Sequence, residues 1–167
     1  MLKEYIKKIL YKLVLAERSP TKLALSFSLG TFLAFSPFLG LQTWLAFPLC
    51  WISGLNVTVT LTTLYVISNP FTMIPIIISG YMFGSWLFNS VMNLDMIRYN
   101  PKWVDSFLGF LARYVIDLKK YLGTQLCFWC YVFGATILAV TISLILYPIM
   151  KRVFTHIVRK IHGTVNT

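Results

Sequence analysis

Apolar side chains run almost unbroken through this chain, and its ionisable residues are confined to three places. Between Lys22 and Asp95 there is no Asp, Glu, Lys, Arg or His, and a second uncharged run extends from Tyr121 to Met150. A helix needs roughly 20 apolar residues to cross a bilayer, so the first run predicts about two to four passes and the second predicts one. Ahead of them, Leu2, Ile6, Ile9, Leu13 and Ala16 fall on one helical stripe and Lys3, Lys7, Lys8 and Lys12 on the opposite side. That is the pattern of a basic amphipathic helix lying on a membrane surface. A second amphipathic stretch follows Asn100-Pro101, with Val104, Phe107, Leu108, Leu111, Val115 and Leu118 on its apolar side and Trp103, Tyr114 and Tyr121 suited to headgroup level.

Proline marks where the helices should begin. A cap-type residue followed by Pro supplies an acceptor for the free N–H groups of a first turn and a residue with no N–H to waste there. Ser19-Pro20, Ser36-Pro37, Asn69-Pro70 and Asn100-Pro101 all carry this signal. They predict a helix from Pro20 to about Phe35, a break from Ser36 to Gly40, and a helix from Leu41 to about Ser53. A bend at Gly54-Leu55-Asn56, a helix from Val57 to Ser68, a break from Asn69 to Pro75 and a fourth helix to about Asn89 complete the run. Residues 57–66 are rich in β-branched residues, yet an isolated strand in lipid leaves its backbone unpaired, so helix is the prediction, with Asn56, Thr60 and Thr63 on one face. The last apolar helix is expected from about Leu122 to Met150, kinked or ending near Pro148.

These elements divide the chain into a surface helix (1–18), a membrane domain of two Pro-interrupted units (19–94), an amphipathic connection (95–121), a transmembrane helix (122–150) and a basic tail (151–167). The fold class is therefore an all-α integral membrane protein. Composition agrees: 57% of residues are hydrophobic and 12% charged, against about 25% charged in soluble domains. The net charge of +10 comes from 15 Lys and Arg against five acids, and basic clusters beside apolar spans suit anionic lipid. No nucleic-acid motif accompanies them, so nucleic acid is excluded as a partner. Basic clusters at both termini place both on the cytoplasmic side, although the basic residues of 95–120 conflict with the external position that this topology gives them.

Candidate chemistry sits at the breaks. Two Pro-interrupted units 33 residues apart, at Pro37 and Pro70, predict re-entrant half-helices in an inverted repeat with a site at the midplane. Helices beginning there would aim N–H groups and positive dipole ends inward, a setting for a phosphate or another anion. The candidate ligand-binding residues are Ser36, Pro37, Gly40, Gln42, Asn56, Asn69, Pro70 and Thr72. Threonines in the run also serve to bond helices together, and Gly80-x-x-x-Gly84 reads as a close helix contact within the chain or in a homo-oligomer. Cys127-x-x-Cys130 reads as structural, and an odd number of cysteines predicts no disulfide framework. Five scattered acids provide no acid-base pair and no metal set, so neither catalysis nor a cofactor is expected.

Ser19-Pro20, Ala24, Gly30, Pro37, Gly40, Gln42-Thr43, Asn56, Asn69-Pro70, Thr72, Pro75, Tyr81 and Gly84 together resemble the signature of the bacterial inner-membrane domain of unknown function 2062 family. The resemblance covers about residues 19–88. It departs from the pattern at Gly54, where many relatives carry Arg two residues before the counterpart of Asn56. It implies a multi-pass protein of the inner membrane, with no established activity. Some members of that family are fused to glycosyltransferases. The expectation is a protein that binds or translocates an anionic lipid or a polyprenyl-phosphate-linked substrate. The alternative is a non-catalytic anchor or scaffold for a membrane enzyme such as a glycosyltransferase.

Overall fold

A computed structural model describes residues 19–38, 40–91 and 128–163, so the amphipathic segments expected at 1–18 and 95–121 lie outside the described residues. All elements among the described residues are helical: α1 (Pro20–Phe35), α2 (Gln42–Ser53), α3 (Val57–Ile67), α4 (Pro70–Trp86), which continues into a wide π-turn at Leu87–Val91, and α5 (Phe128–Gly163). The start of α1 follows the Ser-Pro logic. Pro20 is its first residue, the Lys22 N–H lies 3.5 Å from Ser19 Oγ, and the Leu23 N–H donates to the Ser19 carbonyl at 3.0 Å. The β-branched stretch is helix α3, as expected from the sequence.

Three expectations are corrected. No break runs from Asn69 to Pro75, because α4 starts at Pro70 and passes through Pro75. A proline just beyond the first turn forfeits about one backbone hydrogen bond, since the first four N–H groups of a helix have no partner within it. Nor does a helix begin at Pro37: residues 36 and 37 form a bend, Gly40 and Leu41 form a turn with Gly40 at φ 84°, and α2 starts at Gln42. Finally, residues 151–163 are not a separate tail. The last helix runs through Pro148 and Lys151-Arg152 to Gly163 as one element of 36 residues, because Phe154, Ile157 and Val158 continue an apolar stripe.

The described residues divide into two compact units, the first made of 19–34, 38–69 and 139–163 and the second of 35–37, 70–91 and 128–138. In the first, Leu23, Ala24, Val59 and Phe154 form a fully buried cluster, edged by Phe27, Tyr147, Met150, Ile157 and Val158. Phe154 meets Phe27 edge-to-face with ring centroids 6.4 Å apart. Against this core α1 and α3 lie in the same direction. Ser26 bonds Asn56 and Thr60, Gly30 lies against Thr60 and Thr63, and Ala34 accepts from Ser68. The helix α2 is antiparallel to α3, with Cys50 on Thr60 and Thr43 on Tyr65.

The parallel course of α1 and α3 corrects the inverted repeat. They are the two helices that precede the Ser36-Pro37 and Asn69-Pro70 signals, and an inversion would oppose them. The small face Ser26, Gly30 and Ala34 instead meshes, step for step, with the threonine face of α3.

In the second unit, α4 and α5 cross at small residues. The backbone of Gly84 lies against Cys130 and Gly134, and Gly80 faces Ala135. The small-residue stripe is thus filled within the chain. Phe88 and Cys130 form a buried pair edged by Tyr81 and Trp129. Cys130 is disulfide-bonded, contrary to the expectation from the cysteine count.

Two helices are long and apolar enough to cross a membrane, Pro70–Ser90 with 21 residues and Phe128–Arg159 with 32. Only 17% of the most apolar window of each is buried within the protein, whereas the core helix of a soluble protein is mostly covered.

Candidate functional site

Backbone groups at a helix end that is shielded from water must find their partners inside the protein, and the two ends of α2 meet that demand differently. At its C-terminal end the chain turns through Gly54, whose φ of 61° is a left-handed conformation that glycine adopts without strain. The Gly54 N–H donates to the Cys50 and Trp51 carbonyls, and the Leu55 N–H donates to the Cys50 carbonyl at 2.9 Å. Asn56 then caps α3. Its Oδ1 accepts from the Thr58 and Val59 N–H groups at 3.0 and 3.3 Å. Its own N–H donates to Ser26 Oγ at 3.0 Å. Below the turn, the buried Thr60 hydroxyl lies 3.1 Å from the Asn56 carbonyl and 3.2 Å from that of Ser26. It also accepts from the Cys50 thiol at 3.2 Å.

The N-terminal end of α2 is left open. Leu41 occupies the cap position and offers no side-chain acceptor to the first turn. Gln42, Ala46 and Cys50 are the buried residues of this helix, and their spacing of four puts them on one stripe turned toward the interior of the unit. Gln42 is 7% exposed, and its amide Nε2 is buried with no hydrogen-bond partner. An amide donor without a partner in an apolar interior costs about 1–3 kcal/mol. Nearby, Thr43 Oγ1 and Tyr65 OH are 3.0 Å apart, and Ser68 Oγ donates to the Ala34 carbonyl at 3.3 Å. The Ser28 hydroxyl on α1 is a second buried group without a partner.

The sequence-predicted residues are therefore distributed as follows. Gly40, Gln42 and Asn69 lie at the open end of the first unit, where Asn69 Nδ2 donates to the Val66 carbonyl at 3.3 Å. Asn56 lies at the other end of α2, where its amide oxygen is consumed in capping. Ser36, Pro37, Pro70 and Thr72 belong to the second unit, Ser36 buried, Pro37 and Thr72 half-buried and Pro70 exposed. The structure brings out one feature that sequence reasoning missed, the Ser26 hydroxyl that receives the Asn56 N–H. Its only sequence trace is membership of the small-residue stripe with Gly30 and Ala34. Among the described residues no three of His, Cys, Asp and Glu come together.

Over residues 3–162 the chain matches the family described as "Uncharacterized protein conserved in bacteria (DUF2062)", and it belongs to that family. No curated protein and no solved structure matches it.

Proposed function

We propose that this member of the DUF2062 family is a multi-pass protein of the bacterial inner membrane that binds an anionic lipid or polyprenyl-phosphate headgroup at the N-terminus of α2. The observation that carries this reading is the Gln42 amide, buried and without a partner in the first turn of a helix whose cap position supplies no acceptor. A phosphate oxygen there accepts from the amide and from the free N–H groups of the turn, and the positive end of the helix dipole adds to the attraction. The chain's 15 basic residues against five acids enrich anionic lipid around the protein. Gln42 selects by hydrogen bonding and does no chemistry, so the activity is binding or translocation.

The test exploits an opposition between stability and binding. Gln42→Leu removes the donor that has no partner, so in lipid-free detergent the variant unfolds at the same denaturant concentration as the native chain or a higher one. If the reading holds, native mass spectrometry of the same variant from nanodiscs shows the anionic lipid lost. Retention of that lipid by a folded Gln42→Leu variant overturns the headgroup site. A stably co-purifying membrane enzyme in that case supports the anchor or scaffold role.

A further inference from the structure

Within the first unit the bundle of α1, α2 and α3 is shorter than a bilayer is thick, whereas residues 139–163 of α5, which complete the unit, are long enough to cross one, and the two ends of the bundle differ in charge. From Lys22 to Phe35, α1 rises about 20 Å, and the 12 residues of α2 and 11 of α3 rise about 18 and 16 Å at 1.5 Å per residue. The hydrocarbon core is about 30 Å thick. The three helices are aligned rather than staggered end to end. Asn56 meets Ser26, one turn from the exposed Lys22, and Ser68 meets Ala34 at the other end. Lys22 fixes the first end at a water-facing level. The other end, at Leu41, Gln42 and Asn69, then falls about 10 Å short of the far face.

Side-chain placement along α2 agrees. Trp44 and Trp51 are 75% and 86% exposed, seven residues apart on one face, with the exposed Phe47 between them. Exposed tryptophans favour the two headgroup levels, yet these two are only about 10 Å apart along the axis. The apolar band that they bracket is far narrower than a bilayer.

We infer that the α1–α3 bundle thins the membrane: lipid headgroups of the leaflet opposite the Lys22 face descend to the open end of α2. A short apolar element is met by local thinning of the bilayer, and here the thinning is one-sided. This rests on the headgroup reading only in one respect, that it names the leaflet from which Gln42 draws its ligand.

The test is side-specific labelling with a membrane-impermeant maleimide in right-side-out and inverted vesicles, in a full-length chain with Cys50, Cys127 and Cys130 replaced by serine. Lys22→Cys reports the basic face. Leu41→Cys, and independently Phe38→Cys, are expected to label from the opposite face and not from the Lys22 face. That labelling should be lost on reconstitution into long-chain dierucoyl phosphatidylcholine and retained in short-chain dimyristoleoyl phosphatidylcholine. Labelling from the Lys22 face alone, or from neither face, overturns the proposal. The result is independent of Gln42: labelling from the far face while Gln42→Leu keeps its lipid preserves the thinned bilayer and discards the headgroup site.

Discussion

Replacing Gly84 by alanine sets two effects of known size against each other. Alanine is favoured over glycine in a helix interior by about 0.8–1.0 kcal/mol, which would stabilise α4. A Cβ on Gly84, however, collides with the Cys130 carbonyl oxygen, and stands 2.6 Å from that carbonyl carbon and 3.1 Å from Gly134 Cα. Every obstacle is backbone, so no side chain can swing aside and α4 and α5 must separate. Overpacking of this kind costs about 1–3 kcal/mol, or more where nothing can relax. With backbone on every side the strain takes the upper end of that range, and the expected net loss for Gly84→Ala is about 2 kcal/mol. Gly80→Ala is the internal control, because its Cβ would meet the Ala135 Cβ at 3.1 Å, a contact that shifts of a few tenths of an ångström relieve, and propensity roughly cancels the strain. Unfolding by SDS titration in mixed micelles, followed by tryptophan fluorescence, gives both values on the full chain. A Gly84→Ala variant as stable as the native chain, or one no worse than Gly80→Ala, would refute the close approach of α4 and α5.

Two other substitutions test the first unit. Ser26→Ala strips the Asn56 N–H of its acceptor at the α2–α3 turn and should cost about 1–3 kcal/mol; hydrogen exchange should show the Asn56 amide losing protection while the Thr58 amide, bonded within the cap, keeps it. Phe154→Ala empties a fully buried ring site and should cost about 3–5 kcal/mol, read as faster tryptic cleavage at Lys151 and Arg152 as the end of α5 lifts from Leu23 and Ala24.

Local chemistry made a large part of this fold legible. Pro20 and Pro70 start helices where their sequence context says they should, because a helix start depends on a missing N–H and a neighbouring acceptor, both encoded within a few residues. Gly54 and Asn56 mark the α2–α3 turn for the same reason, since left-handed backbone and a capping amide are properties of single residues. Pro37, Pro75 and Pro148 misled because proline disfavours a helix interior by only a few kcal/mol. The packing around α4 and α5 overrides that cost, while the Ser36-Pro37 signal precedes a bend and a turn rather than a helix start.

Sequence by itself determined that this chain is helical and able to enter a membrane, because 72 consecutive positions without charge leave a folding chain few other places to bury itself. It also singled out Gln42 as a polar side chain beside a break. Only the tertiary structure decided that α1 and α3 run in parallel, that the Gly80 and Gly84 face is taken up by α5, that Phe154 carries the last helix beyond Lys151, and that the Gln42 Nε2 has no partner while the Asn56 Oδ1 caps α3. The reason is physical. A segment apolar on every side has no periodic face to announce its neighbour, so direction, partner and hydrogen-bond satisfaction are fixed by contacts between residues far apart in the chain.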